Sequence, residues 1–279
     1  MNTSHIDLHC HTLASDGQLT PSAVVERAHE NGVKILAITD HDTLDGLAEA
    51  RESAGQRDIE LISGVEFSSA WQGMGVHLVG LNLEETSVSL QKALSKQMML
   101  RMERAQAIGS KLAKAGLPGL FEKAQELAGN SVLGRPHFAS AMVDMGIVQN
   151  HKKAFKKYLG AGKLGDVNCQ WPKIQEIVAT IVGAGGNAVL AHPGNYKMSY
   201  RKLRRLIDEF KEAGGHAIEV VSGLQHEDLT ASLARAANES QLLASIGSDF
   251  HGPPQNWHDL GRCSPLPSQC MPLWETWAV

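Results

Sequence analysis

Cysteine is scarce in this chain. Its 279 residues hold four, Cys10, Cys169, Cys263 and Cys270, widely scattered and without a C-x-x-C pair. That usage excludes a disulfide framework and fits a reducing compartment. Long apolar runs are missing too, so no segment reaches the roughly 20 residues of a membrane-spanning helix. Met1-Asn2-Thr3-Ser4-His5 leads straight into a strand-like run, which leaves no room for a signal peptide. The expectation is a cytoplasmic protein with no membrane partner and an open oligomeric state. Neither sign of charge dominates, and a formal net charge of −4 gives no global pull toward nucleic acid or anionic lipid. An anionic ligand must then be met locally, by metal ions or a few arginines. Internal repeats and low-complexity segments are also lacking.

What the chain does have is alternation. Seven short apolar runs, Ile6–Cys10, Lys34–Thr39, Glu60–Phe67, Val76–Asn82, Ala188–Ala191, Ala217–Val221 and Leu242–Ser248, alternate with amphipathic helical stretches. That is the pattern of βα units around a parallel sheet buried on both faces. Thr20-Pro21 supplies a capping hydroxyl and a proline for the first helical position, and Gly32 stops that helix. Helices over Pro172–Gly185 and Tyr200–Gly214 end at Gly-Gly pairs. Between about 87 and 165 the rhythm breaks. Leu90, Leu94, Met98, Arg101, Ala105, Ile108, Leu112 and Ala115 recur at spacings of three and four, one stripe of a long helix. Shorter helical patterns follow at Leu120–Ala128, Pro136–Met145 and His151–Leu159. The expected organisation is a barrel domain of residues 1–86 and 166–279, with residues 87–165 a helical insertion covering the active site.

The strand ends carry the chemistry. Ile6-Asp7-Leu8-His9-Cys10-His11 alternates, so Asp7, His9 and His11 share one face if it is a strand, and Asp16 follows in the loop. The second run ends at Asp40-His41 and the third at Glu66, and the fourth carries His77. The fifth run ends at Ala191-His192-Pro193, the last at Ser248-Asp249-Phe250-His251. Six imidazoles and three carboxylates thus gather at one end of the predicted sheet, where parallel barrels place their chemistry. A nitrogen and oxygen set without thiolate suits Mn²⁺, Zn²⁺ or Fe²⁺, and does not suit an all-oxygen Ca²⁺ or Mg²⁺ cage. Cys10 is expected to pack on the opposite face. Asp7, Asp40 and Asp42 are expected to orient ligand imidazoles.

His9-x-His11, Asp16, His41, Glu66, His77, Ala191-His192-Pro193 and Ser248-Asp249-Phe250-His251 resemble the motifs of the PHP (polymerase and histidinol phosphatase) family. The resemblance spans the chain apart from the insertion. It implies a distorted seven-stranded (βα) barrel holding up to three divalent ions, with manganese favoured and zinc or iron as alternatives. Carried over, the first ion takes His9, His11, Glu66 and Asp249. The second takes His77 and His192 with Glu66 bridging, and the third takes Asp16, His41 and His251.

Such a cluster can lower the pKa of a bridging water to give hydroxide near neutral pH and can clamp phosphoryl oxygens. His192 and His251 are the candidates for protonating the leaving group. Gly134-Arg135-Pro136-His137 places an arginine fork at a helix start, a setting for an anionic oxygen cluster. Arg135 and His137 are therefore the candidate substrate-binding residues, carried by a lid. The Arg-Pro-His segment is similar to one PHP subgroup, the nucleotide phosphatases, which implies hydrolysis of the 3′-phosphate of nucleoside 3′,5′-bisphosphates. The basic run His151–Lys157 suits a solvated helix face, or an RNA track if the chain is instead a 5′–3′ exoribonuclease. Histidinol phosphatase is a weaker rival because the lid fits it less well. A non-catalytic metal-binding PHP module is the alternative from another class. Lys163 and His216 are weak candidates, and Trp274 and Trp277 are expected to pack the tail against the barrel.

Overall fold

In the computed structural model, which describes residues 4–253 and 259–277, seven strands form one sheet in chain order. They are β1 (Ile6–Asp7), β2 (Ile35–Ile38), β3 (Glu60–Trp71), β4 (Met74–Leu81), β5 (Asn187–Leu190), β6 (Ala217–Ser222) and β7 (Leu243–Gly247). The helices are α1 (Pro21–Glu30), α2 (Leu47–Gly55), α3 (Val88–Lys114), α4 (Leu120–Ala128), α5 (Arg135–Asp144), α6 (His151–Ala154), α7 (Ile174–Gly183), α8 (Tyr200–Glu212) and α9 (Glu227–Glu239). Met1–Thr3, part of the segment read above as too short for a signal peptide, lie outside the described residues. Among those described, no helix is long and apolar enough to cross a membrane.

The sheet curls until its edges meet. Leu8 N donates to Ile246 O, His11 N donates to Phe250 O, and Cys10 and Phe250 form a parallel bridge. This approach needs Gly247, because a Cβ there would lie 2.3 Å from His9 Cβ and 2.8 Å from His9 N. The expected seven-stranded barrel is thus the fold found, with one strand reversed. β4 runs antiparallel to both β3 and β5. Its link to β3 is the pair Gln72-Gly73, both at positive φ (47° and 77°), a two-residue hairpin turn. So short a link cannot join parallel neighbours. The reversal also explains why His77, in the first half of β4, reaches the same end of the barrel as the C-terminal ends of the parallel strands.

Leu8, Ala37, Ile62, Val79, Leu81, Val189, Ala191 and Ala217 form the inner core, which Leu273 joins. Trp274 and Trp277 pack against it as expected, and Trp277 Nε1 donates to Asn187 Oδ1 at 2.8 Å. Outside, α1 and α2 bury Val24, Val25, Ala28, Leu47 and Ala50 against Leu36 and Ile38 of β2. Thr20 caps α1 as its sequence predicts, its Oγ1 accepting from Ala23 N at 3.2 Å. His216, a weak candidate above, accepts from Ala188 N through its Nδ1 at 3.1 Å and fastens the start of β5.

The chain divides into two compact units, Met1–Ala93 with Pro172–Val279, and Leu94–Trp171. The second unit has its own core, in which Ala105, Ile108 and Leu112 of α3 meet Leu120, Ala124, Phe138, Met142 and Leu159. The predicted stripe on α3 is largely buried, though Met98 is 40% exposed. α6 passes into one π-helical turn, Phe155–Leu159.

Candidate metal centre

Glu66, on β3, is the centre of the site. One carboxylate oxygen lies 2.8 Å from His192 Nε2, 2.9 Å from His77 Nδ1 and 3.5 Å from His9 Nε2. The other lies 2.9 Å from His41 Nδ1 and 3.3 Å from His11 Nε2. Burial alone would raise this carboxyl's pKa, but the imidazoles of His77, His41 and His9 hold it well below the usual range. Asp249 Oδ1 sits 3.5 Å from His11 Nε2 and 3.7 Å from His9 Nε2. Asp16 lies 3.4 Å from His251 Nε2 and 3.8 Å from both His11 Nδ1 and His41 Nε2. All nine donors singled out in the sequence therefore converge, although they come from positions spread between residues 9 and 251.

The residues fit divalent ions. Donors around a tetrahedral ion at about 2.1 Å stand roughly 3.4 Å apart. Here His9 Nε2 and His11 Nε2 face each other at 3.3 Å, with the Asp249 oxygen close to both. Two facing ring nitrogens need a proton or a cation between them. The buried Nδ1 of His192 has no hydrogen-bond partner among the described residues. Four donor groups have their atoms within 4.8 Å of one another: His11/Asp16/His41/His251, His9/Glu66/His192, His9/His11/Asp249 and His41/Glu66/His77. These overlap more than the threefold division expected from sequence, because His9, His11 and His41 each belong to two groups, as the bridging Glu66 does.

Proton affinities differ sharply across the cluster. Burial and the neighbouring His251 push His11 down to about 3. Burial works most strongly against a charge on His251, yet Asp16 and then Asp249 together outweigh it and lift the ring to about 10. His9 is likewise buried, and Glu219 and Glu66 together hold it well above the usual histidine value.

Glu219 is the functional residue that sequence reasoning missed. Its carboxylate on β6 accepts from His9 Nδ1 at 2.8 Å and from the His192 amide at 3.0 Å. The first bond places a proton on Nδ1 and leaves Nε2 for a metal. Its signal was a lone carboxylate inside the apolar run Ala217–Val221, in the one strand without a proposed donor. A register shift between Glu219 and Val221 bends β6 at this point. Glu219→Gln is expected to lower metal affinity about 10–100-fold while the chain stays folded. Metal retained after dialysis, with circular dichroism as the folding control, checks this.

Asp7 and Asp40, expected to orient imidazoles, do something else. Asp7 accepts from the amides of Ser248 at 2.8 Å and Gly261 at 2.9 Å, locking the β1–β7 seam. Asp40 accepts from Thr12 N, Thr12 Oγ1 and Ser15 Oγ at 2.8, 2.6 and 2.6 Å, which holds the loop carrying Asp16. Asp42 accepts from Ser68 N at 2.8 Å. Amides freed at strand ends compete for the same carboxylates, and here they win. Cys10 packs away from the donors as expected, its Sγ donating to Ala37 O at 3.2 Å. The backbone leaves the extended conformation after the last strand, where Asp249 has φ 54°. His192, at φ 29°, is a second left-handed residue in the cluster, where strain is tolerated for position. Tyr196 Oη accepts from His77 N at 2.9 Å and donates to Ala191 O at 3.0 Å, tying the segments that carry His77 and His192.

In the other unit, Arg135 is the first residue of α5. It lines a small cavity with Arg101, Arg104, Ile108, Leu133 and Phe138. Arg101 and Arg104 each place the guanidinium carbon 5.7 Å from the Trp171 ring centre. Burial, then repulsion by Arg135 and Arg101, brings Arg104 down to about 10. Arg101 was legible only as a charged residue in an apolar helical stripe. His137 Nδ1 accepts from Gly134 N at 3.1 Å and so caps α5. Lys152, Lys153, Lys156 and Lys157 are exposed.

A curled seven-stranded α/β sheet with this imidazole–carboxylate cluster at one end defines a metal-dependent hydrolase. The PHP domain family matches residues 7–223, and the chain belongs to that family. It is 44% identical to a 5′–3′ exoribonuclease of Haemophilus influenzae over 98% of this chain and 99% of that one. It is 43% identical to a 3′,5′-nucleoside bisphosphate phosphatase of Chromobacterium violaceum, over 97% and 95%. A solved structure assigned as a metal-dependent phosphoesterase, from Bifidobacterium adolescentis, superposes with a TM-score of 0.82 at 26% identity, covering 96% of this chain and 92% of that one. The chain is accordingly a metal-dependent phosphoesterase of the PHP family.

Proposed function

We propose that the chain removes the 3′-phosphate of nucleoside 3′,5′-bisphosphates, releasing a nucleoside 5′-monophosphate. The gathering of nine donors in one cluster carries the reading, and likeness to the Chromobacterium phosphatase supplies the substrate class. His9, His11, Glu66 and Asp249 would hold a first ion, His77 and His192 with Glu66 a second, and Asp16, His41 and His251 a third. Mn²⁺ is the proposed ion, with Zn²⁺ or Fe²⁺ as alternatives. Bound there, the ions would lower the pKa of water and neutralise phosphoryl oxygens.

The chain's own residues do the rest. Glu219 fixes the His9 tautomer, and Tyr196 fixes the segments around His77 and His192. His192 or His251, where not holding an ion, would donate the proton that the departing 3′-oxygen takes up. Arg135, in an insertion that acts as a lid, holds the phosphate that is not cleaved. Arg101 and Arg104 add positive charge beside it. His137 supports the start of the helix that carries Arg135.

A second reading, 5′–3′ exoribonuclease, is favoured by the Haemophilus relative and the four exposed lysines. Both reactions break the same bond, between phosphorus and the 3′-oxygen of a 5′-phosphorylated nucleotide. The test is Mn²⁺-loaded protein with adenosine 3′,5′-bisphosphate or 5′-phosphorylated RNA. Inorganic phosphate and AMP should appear from the bisphosphate with the larger kcat/KM. Mononucleotides released only from RNA, with a steep loss of rate as salt rises, would replace the phosphatase by the exonuclease.

A further inference from the structure

A cleft of about 180 Å³ opens beside His192 on the barrel unit. Its walls are Asn195, after β5, Ser222 at the end of β6, Leu224 and Gln225 in the loop that follows, and Leu229 on α9. We infer that this cleft binds the nucleobase of the substrate, with Asn195 reading the base edge and Leu224 and Leu229 covering its faces. The inference rests on the nucleotide reading above, and holds whether the nucleotide is free or the 5′ end of an RNA.

Chemistry of the walls chooses the ligand. Neither lysine nor arginine lines the cleft, so away from His192 at its edge the walls offer a phosphate no counter-charge. Leu224 is 50% exposed, an apolar group held at the surface with no core to join. The Gln225 amide is spent on the fold. Its Nε2 donates to Val220 O at 2.6 Å and Thr230 Oγ1 at 2.9 Å, and its Oε1 accepts from Ser222 N at 3.3 Å. Among the described residues, the Asn195 amide and the Ser222 hydroxyl have no such partner. An asparagine amide offers one donor face and one acceptor face, the pairing that base edges match.

Position and size agree. His192 lines the cleft while its Nε2 lies 2.8 Å from Glu66, so the cleft adjoins the cluster. A substrate reacting there brings its neighbouring nucleoside to the cleft mouth. The volume is below the roughly 300–1,000 Å³ of pockets that enclose whole drug-sized ligands, and suits a single ring system.

Calorimetry on the full, Mn²⁺-loaded chain tests this without turnover, using AMP and ribose 5-phosphate, which share sugar and phosphate. AMP should bind at least tenfold more tightly. Asn195→Ala and Leu224→Ala, both at exposed positions, should each move AMP toward the ribose 5-phosphate affinity and leave ribose 5-phosphate unchanged. Equal affinities in the parent protein, or equal losses for both ligands in the variants, overturn the cleft assignment alone. If neither ligand binds, the nucleotide reading fails and the cleft assignment with it.

Discussion

Glu66→Gln is expected to cut hydrolysis by about 10³-fold or more and to leave the protein with fewer bound ions. The glutamine keeps the size of the side chain but removes its charge. It also places an NH₂ group, a donor, where a carboxylate oxygen now faces His41 or His192 at 2.8–2.9 Å. Five imidazoles lose their common anion in one step. The Glu219 carboxylate meets one ring, that of His9, so this change should exceed that of Glu219→Gln. Elemental analysis of the purified variant, beside its rate on a phosphomonoester, reads both parts. A variant that kept its ions and its rate would remove Glu66 from the centre.

Loading with metal should raise the melting temperature by about 10 °C or more over chelator-treated protein. An ion at 1,000 times its dissociation constant stabilises the folded state by about 4 kcal/mol. For chains of about 150–250 residues, each kcal/mol moves Tm by roughly 2–4 °C. The physical source is the crowd of buried donors, since Glu66 is 1% exposed and His11 fully buried, and a cation gives their lone pairs a common partner. The sign with pH follows from the proton affinities. His251, lifted to about 10 by Asp16, and His9, held up by Glu219 and Glu66, must lose protons before binding metal. The thermal gain should therefore shrink as pH falls. Scanning fluorimetry with Mn²⁺ and with EDTA, at pH 8 and pH 6, measures it. Equal melting temperatures with and without metal would contradict the expectation.

The strands and the donors were legible for one reason. A buried strand shows as an apolar run, and a polar residue at its end has few structural duties there. His9, His41, His192 and Asp249 each stand just past such an end, whereas Glu66 lies in the middle of β3, which runs on beyond its apolar run to Trp71. The direction of β4 was not legible from its apolar run, because periodicity of two is the same in both senses. The Gln72-Gly73 turn carried that information and could have been read. Asp7 and Asp40 show the opposite error. Their type suited imidazole partners, yet backbone amides and hydroxyls lay closer in space.

From sequence alone came the class of fold, the nine donors and the nitrogen–oxygen chemistry they imply, all properties of residue type and short-range spacing. Only the tertiary structure decided which carboxylate meets which ring. His9 and Glu219 are 210 residues apart and 2.8 Å distant. Arg101, Arg104 and Arg135 became a group only when α3 and α5 packed around one cavity. Pairings of this kind depend on how a closed sheet and its helices bring distant segments together, and local periodicity carries no record of that distance.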